Sequence, residues 1–198
     1  LVYSRPTQVA SPSADGAEGT MAVSDLRARL QPNMEDVGRL AMSDNGYKNL
    51  AKIYPQFKQE PSSIKLSLYS IPLTYMGFSG YLNPLTNESQ VDALIPVYIF
   101  PTTASHEIAH QLGYAAENEA NFIGCLAAIN HDDIYFKYSG YTFALRFCLN
   151  EIYRRDETLF DSISATANKG ILKNYKEMRL FWEDYKNPAE PLFKITYN

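Results

Sequence analysis

The chain has 198 residues, enough for one domain or a domain with a tail, and 45% of them are hydrophobic, an ordinary share for a globular protein. A formal net charge of −4 without any cluster of basic residues gives no electrostatic footprint for nucleic acid, which is excluded as a partner. No apolar run approaches the ~18 residues needed to cross a bilayer, and two cysteines without a C-x-x-C pair rule out a thiolate zinc site.

Residues 1–23 are rich in Pro, Ser, Ala and Gly and lack periodicity, so they read as a flexible linker or tail ahead of a domain over 24–198. Leu1 in place of Met reads as a processed or trimmed product. A helix is expected from Ser24, interrupted by Pro32, and a short one in "GYKNLAKIYPQF", stopped by Pro55. "SIKLSLYSIPLTYMGFSGYLNP" alternates and then breaks at Gly77, Gly80 and Pro84, which predicts a strand followed by irregular structure. "QVDALIPVYIF" is the best strand candidate, with Thr102 or Thr103 expected to cap the helix after it. Beyond Gly113 helices are predicted near 116–130, 133–154, 156–167 and 169–186, with Asp133, Asp156 and Asn168 as usable caps, and the last residues extended. The fold class is therefore α+β, mostly helical, with a small sheet ahead of the helix that begins near Thr102. Cys125 and Cys148 sit among apolar residues and read as buried free thiols.

The chain holds only three histidines, and two lie in "TTASHEIAHQLGYAAENEANF". On a helix, residues four apart share a face, so His106 and His110 aim ring nitrogens at one point. Glu107 lies about 100° round the helix, placed to meet a water on the metal rather than the metal itself. An H-E-x-x-H match arises by chance in on the order of one in a hundred chains of this length, so the flanking residues decide. Catalytic zinc needs a third protein ligand. On an unbroken helix Glu117 would lie about 10 Å beyond His110, too far for one ion. Gly113, suited to a helix C-cap with positive φ, lets the chain reverse and bring a second helix back under the metal. On that helix Glu117 and Asn121 share a face, which fits a ligand and a hydrogen-bonding partner for His106. Glu119 points nearly the opposite way and stays open as the alternative ligand. Gly124 would let the two helices approach closely.

"HEIAHQLGYAAENEANFIGCLAA" resembles the zincin clan, in its gluzincin form with two histidines and a glutamate as ligands. Asn121 stands where that clan often has Asp. The stretch from "SLYSIPLTYM" through "IGCLA", with "YFKYSGYTFALRF", resembles a bacterial family catalogued as domain of unknown function 3810, over roughly residues 40–155. The resemblance implies a zinc-dependent peptidase-like domain on the extracytoplasmic face of a membrane, anchored by a hydrophobic segment absent from this chain. It implies His106, His110 and Glu117 as Zn2+ ligands, Glu107 as general base, and a peptide or protein substrate. The rival expectation is a catalytically inactive zincin-like domain that binds peptides. Such peptidases need an oxyanion donor. In "YFKYSGY" Tyr138, followed by Ser139 and Gly140, is the candidate, with His131 just before it. The clan's architecture also suggests that a strand near residues 91–99 accepts an extended peptide along its edge.

Overall fold

In the computed structural model, which describes residues 2–4, 42–58 and 62–188, strands and short helices are mixed as far as residue 91 and helices alone follow. In chain order the elements are β1 (Val2–Ser4), α1 (Asp44–Ile53), a 3-10 turn (Pro55–Phe57), β2 (Ile64–Leu66), α2 (Ser70–Met76), β3 (Phe78–Asn83) and β4 (Glu88–Val91). Then come α3 (Phe100–Gln111), α4 (Glu117–Ile129), α5 (Ile134–Arg155), α6 (Glu157–Thr166) and α7 (Lys169–Asp184). The chain is α+β and mostly helical, with its sheet ahead of the histidine helix, as expected. The start of the expected Ser24 helix, Pro32 and residues 189–198 lie outside the described residues, as does the expected tail apart from Val2–Ser4.

The four strands form one sheet in the order β1-β3-β4-β2. β3 and β4 are an antiparallel hairpin with Gly80 opposite Val91 and Asn83 opposite Glu88, and β2 runs parallel to β4 with Ile64 beside Ser89. Two expectations are corrected here. The "FSGYLN" segment is a regular strand rather than irregular structure, and its turn is built by Asn83, whose Oδ1 accepts from Leu85 N at 3.0 Å, and by Asn87 at φ 55. Asn is among the few residues that tolerate that region. Ahead of it, "SIPLTYM" is α2, ended by Gly77 in the left-handed conformation at φ 82.

The strand expected through residue 99 stops at Val91. Asp92 is the cause: its Oδ1 accepts from Leu94 N at 2.8 Å, a side-chain turn that diverts the backbone from the sheet. The apolar residues after it still serve the core, where Leu94, Ile95 and Phe100 pack with Met178, Phe181 and Trp182 of α7.

α3 starts at Phe100, so Thr102 and Thr103 lie inside it rather than capping it. The cap comes from another element: Ser139 Oγ of α5 accepts from Thr102 N at 3.1 Å. Every residue from Phe100 to His110 is buried, which marks α3 as a central helix with elements packed around it. The sheet lies on one side, tied by Ser89 Oγ donating to Glu107 O at 2.8 Å. α1 supports α3 through Tyr47, whose hydroxyl donates to Ser105 O at 2.5 Å. α4 packs closely against it at Gly124, where a Cβ would lie 2.7 Å from His106 Cα. The later helices begin where their caps predict: Asp133, Asp156 and Asn168 each accept backbone N–H groups of the first turn. Both cysteines are free, as expected, but Cys148 is exposed and Cys125 half-buried.

Candidate metal centre

The site is built by one helix end. α3 closes at Leu112, and Gly113 follows at φ 94, a region in which only glycine is at ease. Gly113 N donates to His110 O at 3.0 Å and Tyr114 N to Ala109 O at 3.2 Å, which satisfies carbonyls the helix would leave open. The chain then turns, and α4 starts at Glu117 alongside the histidines.

The reversal brings three side chains together. His106 Nε2 and His110 Nε2 are 3.0 Å apart, and Glu117 places Oε2 3.4 Å from the first and Oε1 3.5 Å from the second. Four ligands arranged tetrahedrally at the ~2.0–2.1 Å typical of zinc and imidazole nitrogen stand about 3.3 Å from one another, so the observed spacing has the size of a zinc shell. The donor set, two imidazoles and a carboxylate, is also that of catalytic zinc sites. Among the described residues this is the one group of three such side chains whose ligand atoms converge, all within 4.8 Å.

The ionisation states fit. Burial pulls the His106 ring toward its neutral form, the form that offers a lone pair, against the opposing pull of Glu117. His110 Nδ1 faces Tyr114 O at 2.8 Å, a contact that places the proton on Nδ1 and leaves Nε2 free to ligate. For Glu117, burial raises the carboxyl, but hydrogen bonds to His106 and His110 outweigh it and hold the group at about 2. Both histidine side chains have no exposure, whereas that of Glu117 is 39% exposed, so solvent reaches the cluster past Glu117. Asn121, one turn on, lies beside His106 with its Oδ1 buried, and the contact favours the protonated ring. Glu119 is exposed and outside the cluster.

Glu107 is wholly buried, with no hydrogen-bond partner for either carboxylate oxygen. Burial raises its carboxyl well above the usual range, and the charge of Glu117 adds to the effect. It lies under β3, where Oε1 approaches Gly80.

Tyr138 and His131, the oxyanion candidates, have partners of their own. The Tyr138 hydroxyl accepts from Asn174 Nδ2 at 2.7 Å and lines a cleft of about 630 Å³ with Val97, Pro101 and Ile134. The neighbouring Gly140 does permit a close approach, but to Ile129 and Ala128 of α4. His131 stacks on Phe136 at 3.9 Å between centroids, donates from Nε2 to Met42 O and accepts from Asp133 N at Nδ1, the pattern of a neutral structural histidine. Ser89 and the Tyr114 carbonyl have no signal in the sequence, and Gly80 shows there only as a break or loop residue. All three act through backbone proximity or a hydroxyl, which no spacing rule reports.

Residues 18–198 match the model of a family described as a protein of unknown function, DUF3810. The chain belongs to the DUF3810 family. No curated protein and no solved structure matches it. In this DUF3810 chain the H-E-x-x-H helix, the glycine turn and the second helix all lie within the matched segment.

Proposed function

We propose that the chain is a zincin-type metallopeptidase, with His106, His110 and Glu117 as zinc ligands and Glu107 as general base. The observation that carries the reading is the mutual spacing of the three ligand atoms, with a carboxylate at the next helical position that is buried and unpartnered. Zinc held there supplies the Lewis acidity that makes water a nucleophile at neutral pH and polarises a carbonyl. Glu107 takes the proton from the attacking water and delivers it to the leaving amine. His110 keeps its orientation through Tyr114 O, and Asn121 steadies His106.

A peptide is the favoured substrate because the side of β3 away from β4 takes an extended segment, here the chain's own β1, which a peptide would have to displace. Val2–Ser4 pairs antiparallel along it with Tyr3 opposite Gly80, beside Glu107. An incoming peptide using the same main-chain bonds would bring its own carbonyls to that carboxylate. The edge concerned is β3, not the 91–99 segment favoured by the clan's architecture. A membrane-anchored, extracytoplasmic setting remains part of the proposal; among the described residues no helix is long and apolar enough to cross a membrane.

One observation favours a second reading, an inactive domain that only binds peptides: Glu107 has no solvent exposure. Metal content by mass spectrometry, followed by cleavage of a mixed peptide library, separates the two. About one zinc per chain in wild type and in Glu119→Ala, lost in Glu117→Ala, is expected. Cleavage that disappears in Glu107→Gln with the zinc retained would complete the case. Zinc without cleavage selects the binding domain, and a wild-type chain that takes no zinc overturns the peptidase reading and leaves the binding domain.

A further inference from the structure

We infer that Gly80 is a positioning residue for Glu107, a role that rests on the proposed function. The backbone does not require a positive φ here: the described glycines at positive φ are Gly77 and Gly113, while Gly80 pairs with Val91 of β4 and with Tyr3 of β1, beside a register shift in the β1 pairing. What requires glycine is space. A Cβ on Gly80 would lie 2.5 Å from Glu107 Oε1 and 2.9 Å from Glu107 Cδ. At the other tight glycines the nearest obstacles belong to a helix: at Gly46 and Gly124 backbone atoms, at Gly140 Ile129 Cγ1. At Gly80 the nearest obstacle is a carboxylate, with the backbone oxygen of Gln90 beside it at 2.9 Å.

That carboxylate has nowhere else in its present setting to be held. Both of its oxygens are buried and make no hydrogen bond, so the walls of the cavity place it, and Gly80 is one of those walls. Neither backbone can easily give way. Ser89 Oγ on β4 fixes α3 at Glu107 O, and β3 is paired with β4 from Gly80 to Asn83. The movable part is the far end of Glu107. A methyl group on Gly80 therefore turns the carboxylate aside while the ligands, on the far side of α3 toward α4, keep their places. Gly80 also stands opposite Tyr3, so the same position sets which residue of an edge-bound strand lies nearest the base.

The test is a double-mutant cycle read by thermal unfolding on wild type, Gly80→Ala, Glu107→Ala and the double variant, with zinc content and hydrolysis of fluorescein-labelled casein measured in parallel. The fall in Tm caused by Gly80→Ala should be clearly smaller in the Glu107→Ala background, where only the clash with Gln90 O remains. Gly80→Ala should also keep its zinc, and its kcat should fall on the order of a hundredfold with KM nearly unchanged, as a displaced catalytic group does. A Gly80→Ala chain that folds only when Glu107 is also replaced supports the role equally. An equal fall in both backgrounds, or failure to fold in both, overturns the role and leaves only the packing of Gly80 on Gln90 O at 2.9 Å. An unchanged kcat overturns it too. A wild-type chain without zinc or casein hydrolysis defeats the proposed function, while the unfolding cycle still decides whether Gly80 places Glu107.

Discussion

Glu107 and Asp92 are both buried carboxyls, and their settings differ. Glu107 stands in the candidate site, whereas Asp92 supports the sheet. Burial raises Asp92 to about 7, against the pull of hydrogen bonds from Thr74, Leu94 and Ser70. The geometry agrees. Thr74 Oγ1 has one proton yet faces two acceptors, Ser70 O at 2.7 Å and Asp92 Oδ2 at 2.5 Å, so its hold on the carboxylate is shared. The consequence for stability has a definite sign. Below the ordinary value of 3.8 the group is protonated folded or unfolded. As pH rises from there to about 7 the unfolded chain ionises first, so stability is lost across that window and levels off above it. The loss is on the order of 4 kcal/mol. Urea unfolding of wild type and Asp92→Asn between pH 4 and 8 should show a difference that shrinks as pH rises. At this scale the sequence was legible where one helix carried the information, as with His106, Glu107 and His110. It was illegible for Tyr138, whose partner Asn174 lies 36 residues away.

At the scale of elements, the α3–α4 contact decides whether three ligands meet. Gly124 sits at that contact, and a Cβ would press on His106 N and Cα at 2.7 Å each. Unlike the obstacle at Gly80, these are backbone atoms that cannot rotate away. Gly124→Ala should therefore cost about 1–3 kcal/mol, the usual range for overpacking. It should also part Glu117 from the histidines, so that zinc affinity, measured by competition with a chromogenic chelator, falls together with Tm. The close approach at Gly124 and the reversal at Gly113 were both legible, because glycine's reasons are local. So were the helices after Gly113, whose caps lie within three residues of the groups they satisfy. The run from Ala93 to Ile99 misled because its apolar residues suit a strand, and a single side chain, Asp92, turns it away. The cap of α3 was hidden for the opposite reason: Ser139 reaches it from 37 residues downstream.

At the scale of the molecule, a bound ion would clip α3 to α4 and so stabilise the whole fold. At a free zinc concentration a thousand times the Kd, the gain is about 4 kcal/mol. For a chain of this length that corresponds to roughly 10 °C in Tm. Adding a strong chelator to zinc-loaded protein should lower Tm by about that amount, and Glu117→Ala should show no such response. The sheet order is what the sequence could least convey. Parallel pairing of Ile64–Leu66 with Ser89–Val91 joins segments some 25 residues apart, with α2 and β3 between them, and no local pattern announces it.

The site's parts also differ in how far apart they lie along the chain. The three converging side chains fall within twelve consecutive residues, His106 to Glu117, closed by one turn at Gly113. The roof over Glu107 comes from Gly80, 27 positions earlier, and exists only once β3 and β4 have paired. Contacts between near neighbours form sooner than contacts that must first close a long loop. The converging side chains thus need only a local turn, whereas the enclosure of Glu107 needs the paired sheet. Under the proposed function, changes that unpair β3 from β4 should therefore abolish hydrolysis while leaving zinc bound.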